Sequence, residues 1–488
     1  MIMILFLCLI LFITILFFKK QTTRKNSNPG SITFPSPPRL PLIGNLHQLG
    51  QHPHRSLCYL SHRYGPLMVL HFGSVPVIIA STAEAARDIL KTHDAVLSSR
   101  PRSKIFEKLL YKSRNMASAP YGEYWRQMKS VSVIHLLSNK MVRSYREVRQ
   151  EEISLMMEKI RESGSSPMNL SKILSSLTND VICRVALGRK YGVGTDFKEL
   201  IDRLMRQLGT FTIGSYVPWL GWIDWVSGLE ARLEKTANDF DKLLERIVQD
   251  HEDGDGNKMD FVDVLLAVQR EKSVGFEIDR FSIKAIILDA FVGGTDTSST
   301  LVEWEMTELL GHPECLKRLQ EEVRTICKGK SIVSEDDVKD MHYLKAVIKE
   351  TLRLHPPVPL MVPHQSIKDV RLRGNYVPAG TQVIVNLWAV GREAATWGPD
   401  PNEFRPERHL EGDADFRGQD FELIPFGAGR RMCPGISFAV VLNEVVLANL
   451  MHGFDWQSTE DQTNVAESIG SVIRRMHPLY VTASSTAD

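Results

Sequence analysis

The chain has 488 residues, and its 59 lysine and arginine residues against 58 aspartate and glutamate residues leave a formal net charge of +1. This balance lacks the basic surplus of a nucleic-acid-binding protein, and 43% hydrophobic with 24% charged residues excludes a disordered or fibrous chain. The six cysteines are scattered and include no Cys-x-x-Cys pair, which argues against a disulfide framework and favours a reducing compartment.

The first 18 residues predict a transmembrane anchor. They contain one polar side chain, Thr14, and as a helix they cover most of a hydrocarbon layer about 30 Å thick. A cleaved secretory signal is the alternative, but its basic residues normally precede the apolar run, whereas Lys19 and Lys20 follow it here. Because basic flanks stay on the cytoplasmic side, we expect a single pass through the lipid bilayer and a cytosolic body.

A linker and one large domain are expected after the anchor. Residues 19–41 are basic and then proline-rich, and proline fixes φ and removes backbone donors, so the linker is expected to be stiff and extended. Residues 42–488 show mostly helical spacing and few strand patterns, and they are interpreted as one catalytic domain.

Several elements of this domain are predicted from their patterns. We expect a hairpin over 67–79, an amphipathic helix from Leu229 to Ile247 and a strand over 382–386. The polar stretches 163–167 and 252–258 are interpreted as loops between helices, with domain boundaries as the alternative.

A longer helical pattern, from Phe281 to Leu310, is interrupted by Gly-Gly-Thr-Asp-Thr-Ser at 293–298. Two glycines in a helix interior cost about 1 kcal/mol each relative to alanine, and Thr, Asp and Ser are mediocre helix formers. The segment therefore predicts a local distortion, for which an ordinary kink between two helices is the alternative to a functional break.

A glycine-rich segment, Phe-Gly-Ala-Gly-Arg-Arg-Met-Cys-Pro-Gly at 426–435, precedes an apolar run that predicts a buried helix. In such a turn, backbone N–H groups and the helix dipole favour a thiolate at Cys433. No Cys or His lies at zinc-ligand spacing, and Arg431 suits an anionic partner such as a propionate. Inert packing of the cysteine is the alternative, but the combination fits an axial ligand of haem iron.

This segment resembles the haem-binding signature of the cytochrome P450 family, Phe-x-x-Gly-x-Arg-x-Cys-x-Gly, matched at Phe426, Gly429, Arg431, Cys433 and Gly435. Together with Gly-Gly-Thr-Asp-Thr, it is most similar to the plant A-type, microsomal branch. The resemblance spans the chain from the anchor to the last strand. It implies a fold that is mostly α with small β sheets, and a haem b (iron protoporphyrin IX) whose iron is bound by Cys433.

Two further motifs carry the resemblance. In the interrupted helix, Thr297 is implied to hydrogen-bond the distal oxygen and Asp296 to take part in proton supply. Glu350, Arg353 and Arg408 match the family's Glu-x-x-Arg pair and its partner arginine, and they imply a structural charge network behind the haem.

The haem contacts that the resemblance implies depart from the family pattern in detail. Trp125 and Lys129 match a Trp-x-x-x-Arg motif that holds a propionate, but lysine keeps the charge and loses the bidentate fork. His364 stands where relatives commonly carry arginine, and His409 stands where an aromatic residue is usual. Haem anchoring is expected to be somewhat altered and retained, through Trp125, Lys129, His364, Phe426, Arg431 and Gly435.

Six residues are implied to contact the substrate over the haem. Gly293, where relatives often carry alanine, is expected to leave extra room, and an ordinary core role is the alternative at each position. The six are Ala290, Gly293, Val358, Leu360, Met361 and Ile473.

The implied activity is a monooxygenase reaction that uses O2 on a small lipophilic plant metabolite such as a terpenoid, alkaloid or phenolic compound. The chain has no Gly-x-Gly-x-x-Gly loop and no flavin segment, so electrons are expected from NADPH through NADPH-cytochrome P450 reductase, docked on Arg126, Lys129 and Arg430. The implied location is the endoplasmic reticulum membrane.

Two alternatives remain open at this point. One is a thiolate-haem dehydratase or isomerase that needs no external O2, although such variants often lose the threonine that Thr297 supplies. The other is a non-catalytic haem-binding membrane protein.

Overall fold

The computed structural model describes residues 32–486 apart from 191–196, 211, 255–258, 272–274, 413 and 460–464. The predicted anchor, 1–18, and the linker residues 19–31 lie outside the described residues. Of the later linker residues, Phe34 is buried, and the carbonyl of Pro35 accepts a hydrogen bond of 2.9 Å from the N–H of Val69. The end of the predicted linker is therefore packed on the folded body.

Helices make up most of the described chain. They are α1 (Pro53–Tyr64), α2 (Ala83–Arg87), α3 (Asp94–Leu97), α4 (Lys104–Leu109), α5 (Glu123–Val131), α6 (Asn139–Ser144), α7 (Arg146–Ser163), α8 (Leu170–Leu187), α9 (Phe197–Leu208), α10 (Ile213–Tyr216), α11 (Trp222–Val226), α12 (Leu229–Glu252), α13 (Phe261–Glu271), α14 (Arg280–Gly294), α15 (Asp296–Gly311), α16 (Pro313–Ile326), α17 (His342–Leu354), α18 (Leu387–Val390), α19 (Ala394–Trp397) and α20 (Ile436–Gly453).

The helices predicted within the described residues are confirmed. In α12, Leu233, Phe240 and Leu244 are buried, so one apolar stripe faces the core. The interrupted pattern forms two helices, α14 and α15, which meet at Thr295. There the Thr295 hydroxyl donates a hydrogen bond of 2.7 Å to the carbonyl of Phe291, a local bond that competes with regular helix geometry. The polar stretch after Ser163 is a loop, as predicted.

The strands form three small sheets. They are β1 (Leu67–Phe72), β2 (Val75–Ala80), β3 (Met168–Asn169), β4 (His364–Gln365), β5 (Val370–Leu372), β6 (Asn375–Val377), β7 (Gln382–Val385), β8 (Phe454–Ser458) and β9 (Tyr480–Ser485). The sheet orders are β1-β2-β7-β4, β3-β9-β8 and β5-β6. β1 and β2 are the predicted hairpin, and β7 is the predicted strand, parallel to β2.

α20 lies at the centre of the helical core, where it packs against α7, α15, α16 and α17. Among the described helices it alone is long and apolar enough to cross a membrane by length and composition, with a mean hydropathy of 1.5. Because its side chains from Val445 to Met451 are buried inside the protein, its apolar character is explained by the core. The observed fold is mostly α with small β sheets, as predicted.

Candidate active site

The cysteine loop, Phe426 to Gly435, leads directly into α20. The N–H of Cys433 donates to the carbonyl of Phe426 across 2.9 Å and closes the loop on itself. The ring of Phe426 packs edge-on against Phe416, with centroids 5.7 Å apart. Gly435 lies beside the sulfur, because a Cβ at this position would be 3.8 Å from Cys433 Sγ. The loop therefore presents one free thiol in a glycine-lined turn.

Gly429 lets this loop approach the segment around α3. Its φ is +66°, and a Cβ would lie 2.2 Å from the carbonyl oxygen of Leu90. The next residue, Arg430, donates its N–H to Asp94 Oδ2 across 3.1 Å, and its guanidinium binds the same oxygen at 2.7 Å. A side chain at 429 would separate the loop from this neighbour.

The loop's backbone and Lys129 favour a thiolate at Cys433, as expected, but burial opposes them. Burial raises the pKa of the Cys433 thiol, and the N–H of Gly435 and the ammonium of Lys129 offset this only in part. The physical reason is that desolvation of a charged sulfur outweighs two nearby positive dipoles or charges. A cation in direct contact with the sulfur, such as a metal ion, is needed to hold it as a thiolate.

Two buried arginines lie next to the loop and bind backbone carbonyls. Arg431 donates to Ser98, Met116 and Ala119, and Arg100 donates to Ala117, Val362 and Pro363, at distances from 2.6 to 3.2 Å. Across the described residues, neither guanidinium has a carboxylate partner. Burial lowers the pKa of Arg431 to about 10, and burial and the charge of Arg431 lower that of Arg100.

His364 adds an unpartnered acceptor to the same cluster. Its Nδ1 lies 2.9 Å from the carbonyl oxygen of Leu97, and its Nε2 is buried with no hydrogen-bond partner. Burial and the charges of Arg100 and Arg431 lower its pKa. The two guanidiniums without a carboxylate partner indicate a site for an anionic group. The free Nε2 of His364 suits a hydrogen-bond donor instead, because Nδ1 carries the ring proton, so the predicted propionate contact of His364 does not follow from this geometry.

Trp125 and Lys129 project from α5 toward this cluster. The indole N–H of Trp125 donates to the carbonyl of Met116 across 3.0 Å, and the guanidinium of Arg431 lies 4.1 Å from the indole centroid. The ammonium of Lys129 donates to the carbonyl of Arg430. Burial and the charge of Arg431 lower the pKa of Lys129.

The junction of α14 and α15 supplies a hydroxyl and a carboxylate. Thr297 donates its hydroxyl to the carbonyl of Gly293 across 2.5 Å. Asp296 is buried and binds Arg474, with Nη2 to Oδ2 at 2.6 Å. A Cβ at Gly293 would meet no atom within 4 Å, whereas a Cβ at Gly294 would lie 2.6 Å from Cδ1 of Ile182. The first glycine therefore borders open space and the second borders packed core.

The predicted charge network is present and has a further member. Glu350 binds Arg353 twice, at 2.7 and 2.8 Å, and Arg408 at 2.9 Å. His409 Nε2 lies 2.8 Å from the second oxygen of Glu350. Despite complete burial, the hydrogen bonds from Arg353 and His409 lower the pKa of Glu350 to about 2. The network therefore joins α17 to Arg408 and His409.

The predicted substrate positions fall into separate environments. The N–H of Ile473 donates to the carbonyl of Pro357 across 2.9 Å, which joins the C-terminal loop to the segment containing Val358. Met361 lies against the cysteine loop, since its Cε is 3.0 Å from the Cβ position of Gly427. Ala290 and Val358 pack at the edge of the main core, whereas Leu360 packs against the hairpin sheet.

These residues fit the haem that the resemblance implies. Cys433 offers a sulfur ligand, Gly293 and Gly435 leave space, and Arg100 and Arg431 form a buried basic cluster suited to propionates. Arg431 and Trp125 are occupied by carbonyl contacts, so their contribution to the cluster is charge and packing.

Three polar residues of the region were not singled out as site residues in the sequence. Arg100 follows two serines in a polar turn, and nothing local distinguishes it. His409 follows Arg408, and its adjacency to the network was the available signal. Arg474 lies in the C-terminal loop, 178 residues from its partner Asp296, and carries no local signal.

Comparisons with known proteins show the family of the chain. The family model described as cytochrome P450 matches residues 34–482. The chain is similar to Cytochrome P450 71A23 of Arabidopsis thaliana, 86% identical over 99% of this chain and 100% of that protein. It is 72% identical to Cytochrome P450 71A26 of Arabidopsis thaliana over the full length of both, and 52% identical to Cytochrome P450 736A117 of Prunus mume over 95% and 92%.

A solved structure shows the same fold. A zebrafish cytochrome P450 determined with abiraterone matches with a TM-score of 0.76 and 24% sequence identity, covering 89% of this chain and all of that chain.

Proposed function

Because the chain belongs to the cytochrome P450 family and is a haem-dependent monooxygenase, we propose that it oxidises a small lipophilic metabolite of plant specialised metabolism, such as a terpenoid, alkaloid or phenolic compound. The similarity to plant proteins supports the assignment to the plant A-type branch of the family. One observation carries the proposal: a free cysteine lies in a glycine-lined loop next to buried arginines that have no acidic partner among the described residues.

We assign residues to the cofactor on the basis of their contacts. When bound, haem b supplies the binding and reductive activation of O2. Cys433 is the metal ligand, and Arg100, Arg431 and Lys129 provide positive charge for the two propionates. Trp125 and Phe426 fix the surrounding backbone through Met116 and Phe416.

The polar residues at the helix junction handle protons. Overall, the substrate C–H bond and O2 take up two electrons and two protons and yield an alcohol and water. The Thr297 hydroxyl donates a hydrogen bond to the carbonyl of Gly293, and the Asp296 carboxylate lies in the first turn of α15. We assign Thr297 to donation toward the reacting oxygen and Asp296 to proton supply.

The substrate is expected to lie between the helix junction and the C-terminal loop. Ala290 and Gly293 belong to α14, and Val358, Met361 and Ile473 belong to segments that meet at the Pro357 carbonyl. The open space at Gly293 supports a pocket that takes a bulky substrate. Leu360, which packs against the hairpin sheet, is expected to shape the pocket through its backbone.

A reductase that carries electrons from NADPH is the proposed partner. Arg126 is exposed, and Lys129, one turn later on α5, binds the backbone of Arg430. These three side chains place positive charge on one surface beside the cysteine loop, where an acidic partner surface can dock. The charge of Arg430 is partly neutralised by its ion pair with Asp94, so Arg126 is expected to contribute more to the attraction of an acidic partner than Arg430 does.

The proposed location is the endoplasmic reticulum membrane, with the catalytic domain in the cytosol. Trp219, Trp222 and Trp225 are each more than half exposed, and Leu42 is also exposed. These residues lie at one end of the body, because Ser74 of the β1–β2 turn donates to the carbonyl of Tyr216 while Gly44 pairs with Phe72. Such an apolar patch, beside the point where the linker joins the folded body, suits a lipid surface.

The function is tested with microsomes that contain the full chain and a plant NADPH-cytochrome P450 reductase. Lipophilic plant metabolites are screened for a substrate-induced spectral shift, and products formed under isotopically labelled O2 are analysed by mass. We expect one labelled oxygen atom in a product that requires NADPH, and its loss in Cys433→Ser. Turnover without NADPH, or no spectral shift with any compound, would contradict the proposal and favour the isomerase or the non-catalytic alternative.

A further inference from the structure

Arg474 connects the C-terminal loop to the first turn of α15. Its Nη2 lies 2.6 Å from Asp296 Oδ2, and the side chain of Asp296 is 7% exposed against 43% for Arg474. Within the described ranges, no second side chain donates a hydrogen bond to this carboxylate. Since a buried carboxylate without a partner is unfavourable, Arg474 decides how Asp296 is held.

The loop that carries Arg474 is closed at its base. Ser468 donates its N–H to the carbonyl of Arg474 across 2.8 Å, and the N–H of Arg474 returns to the hydroxyl of Ser468 across 3.1 Å. Glu467 and Arg475 form an antiparallel bridge one residue further out. We name residues 467–475 the strap loop. Its closed base fixes the direction in which the Arg474 side chain leaves the backbone.

The strap loop is seated by contacts at both of its ends. The carboxylate of Glu467 accepts hydrogen bonds from His54 Nε2 and Arg55 Nε, each at 2.9 Å. At the other end, the indole N–H of Trp304 donates to the carbonyl of Ile473 across 3.1 Å. Ile473 is also a proposed substrate contact, so a displacement of the strap loop moves a pocket residue and Arg474 together.

The other charged groups near Asp296 make its arginine partner important. Burial raises the pKa of Asp296, Arg474 opposes this, and the charge of Asp202 on α9 adds to the rise. Glu303, two turns along α15, is held by Ser171 and is also attracted to Arg474. The tip of the strap loop touches the end of α9, because a Cβ at Gly209 would lie 3.0 Å from the nitrogen of Ser471.

We propose that Arg474 is a positioning residue that holds the Asp296 carboxylate for proton supply and makes this supply depend on the seating of the strap loop. The inference rests on the proposed function of Asp296. Its new content is the link: substrate that presses on Ile473 also acts on the partner of the proton-supplying group. Arg474 is assigned a role only through its ion pair with Asp296.

The link is tested first without turnover. Arg474→Gln, Asp296→Asn and the double variant are compared by thermal unfolding midpoint and by amide hydrogen exchange of the haem-loaded protein. We expect non-additive midpoint shifts in the cycle, and exchange faster by about threefold or more in the strap loop and in the first turn of α15. The matched control is Arg146→Gln with Asp336→Asn, an exposed pair at 2.7 Å whose loss is expected to be additive.

Turnover gives the second measurement. Arg474→Gln is expected to lower, by about tenfold, the fraction of reducing equivalents that appear in product, with hydrogen peroxide released instead. Arg474→Lys, which keeps the charge, is expected to restore at least half of this fraction. A structural role alone would lower the amount of folded enzyme and leave the fraction unchanged.

The outcomes separate the two proposals. Additive midpoints with unchanged exchange would overturn the link, whatever the protein oxidises. So would a product fraction in Arg474→Gln equal to that of the wild type. A coupled cycle in an enzyme that forms no oxygenated product would instead contradict the proposed function, while the ion pair that positions Asp296 would stand.

Discussion

His409 donates a hydrogen bond from Nε2 to Oε2 of Glu350 across 2.8 Å, in a site where both side chains are buried. Burial lowers the pKa of His409, so the imidazole is neutral at pH 7 and acts as a donor without adding charge. Glu350 is thereby bound on both oxygens, by two arginines and this histidine. The network therefore tolerates a histidine at 409 because the imidazole satisfies the remaining carboxylate lone pairs.

Glu350 is expected to contribute a pH-dependent part of the stability. Its folded-state pKa, about 2, lies below the ordinary 4.5, so the stabilisation is present above pH 4.5 and is lost as pH falls from 4.5 toward 2. Glu350→Gln is expected to lower the free energy of unfolding at pH 7 by about 3–5 kcal/mol, because Arg353 and Arg408 lose their partner. Chemical denaturation at several pH values measures both effects. Glu321→Gln, on an exposed surface, is the control, and an equal loss there would contradict the prediction.

Arg100→Met is expected to lower the haem content of the purified protein. Its buried charge has no carboxylate partner among the described residues, so it is available to a propionate. Arg430→Met is the matched control, because Arg430 is exposed and already neutralised by Asp94 at 2.7 Å. The ratio of haem to protein in absorbance spectra measures the effect. Equal haem content in the two variants would refute the assignment of Arg100.

Glu305→Met is expected to stabilise the protein. Both carboxyl oxygens of Glu305 are buried in α15 without a hydrogen-bond partner, and burial together with the charge of Glu444 raises its pKa well above the ordinary 4.5. An unpaired buried polar group costs about 1–3 kcal/mol, and this variant removes that cost.

The pH dependence of the stability distinguishes the burial of the Glu305 carboxyl from a gain in packing. Because the pKa of Glu305 is higher when folded, the part of its penalty that comes from ionisation is absent below pH 4.5 and grows as pH rises toward the folded-state pKa. The gain in unfolding midpoint of Glu305→Met over wild type should therefore be larger at pH 8 than at pH 5. Glu321→Met, on the surface of α16, should change the midpoint little at either pH. A gain independent of pH would point to packing alone.

The two neighbouring glycines at the end of α14 are expected to respond differently to alanine. Gly293→Ala meets open space and gains about 1 kcal/mol of helix propensity. Gly294→Ala brings a Cβ to 2.6 Å from Cδ1 of Ile182, and overpacking of this kind costs about 1–3 kcal/mol.

Unfolding midpoints and spectral titration with a bulky azole ligand measure the two effects. Gly293→Ala should keep or raise the midpoint and weaken azole binding, whereas Gly294→Ala should lower the midpoint. Ile182→Val in the Gly294→Ala background should recover part of the loss, because it removes Cδ1. Equal midpoints for the two alanine variants would contradict the steric explanation.

Much of the architecture and of the candidate site could be predicted from short continuous segments of the sequence. The loop around Cys433, the break at 293–298 and the spacing of Glu350 and Arg353 are each local, so their residue types reveal the chemistry that they can perform. The helical periodicity of α12 and α14–α15 is likewise local, because one helical turn brings together residues three and four apart.

The effect of burial on the Cys433 thiol is contained in no local pattern. Desolvation depends on everything packed around the sulfur, whereas the turn and the helix dipole are visible in ten residues. In the same way, the carbonyl contacts of Arg431 depend on where residues 98–119 fold.

The amino-acid order alone establishes the family-typical loop, the helix break, the acid–base pair and the helical class, since each depends on neighbours along the chain. The contacts of Arg100 with Val362, of His409 with Glu350 and of Arg474 with Asp296 join residues 59 to 262 positions apart. The sequence around a single arginine or histidine in a polar stretch does not predict such a distant partner. Long-range packing chooses it, because burial and charge are properties of the folded surroundings.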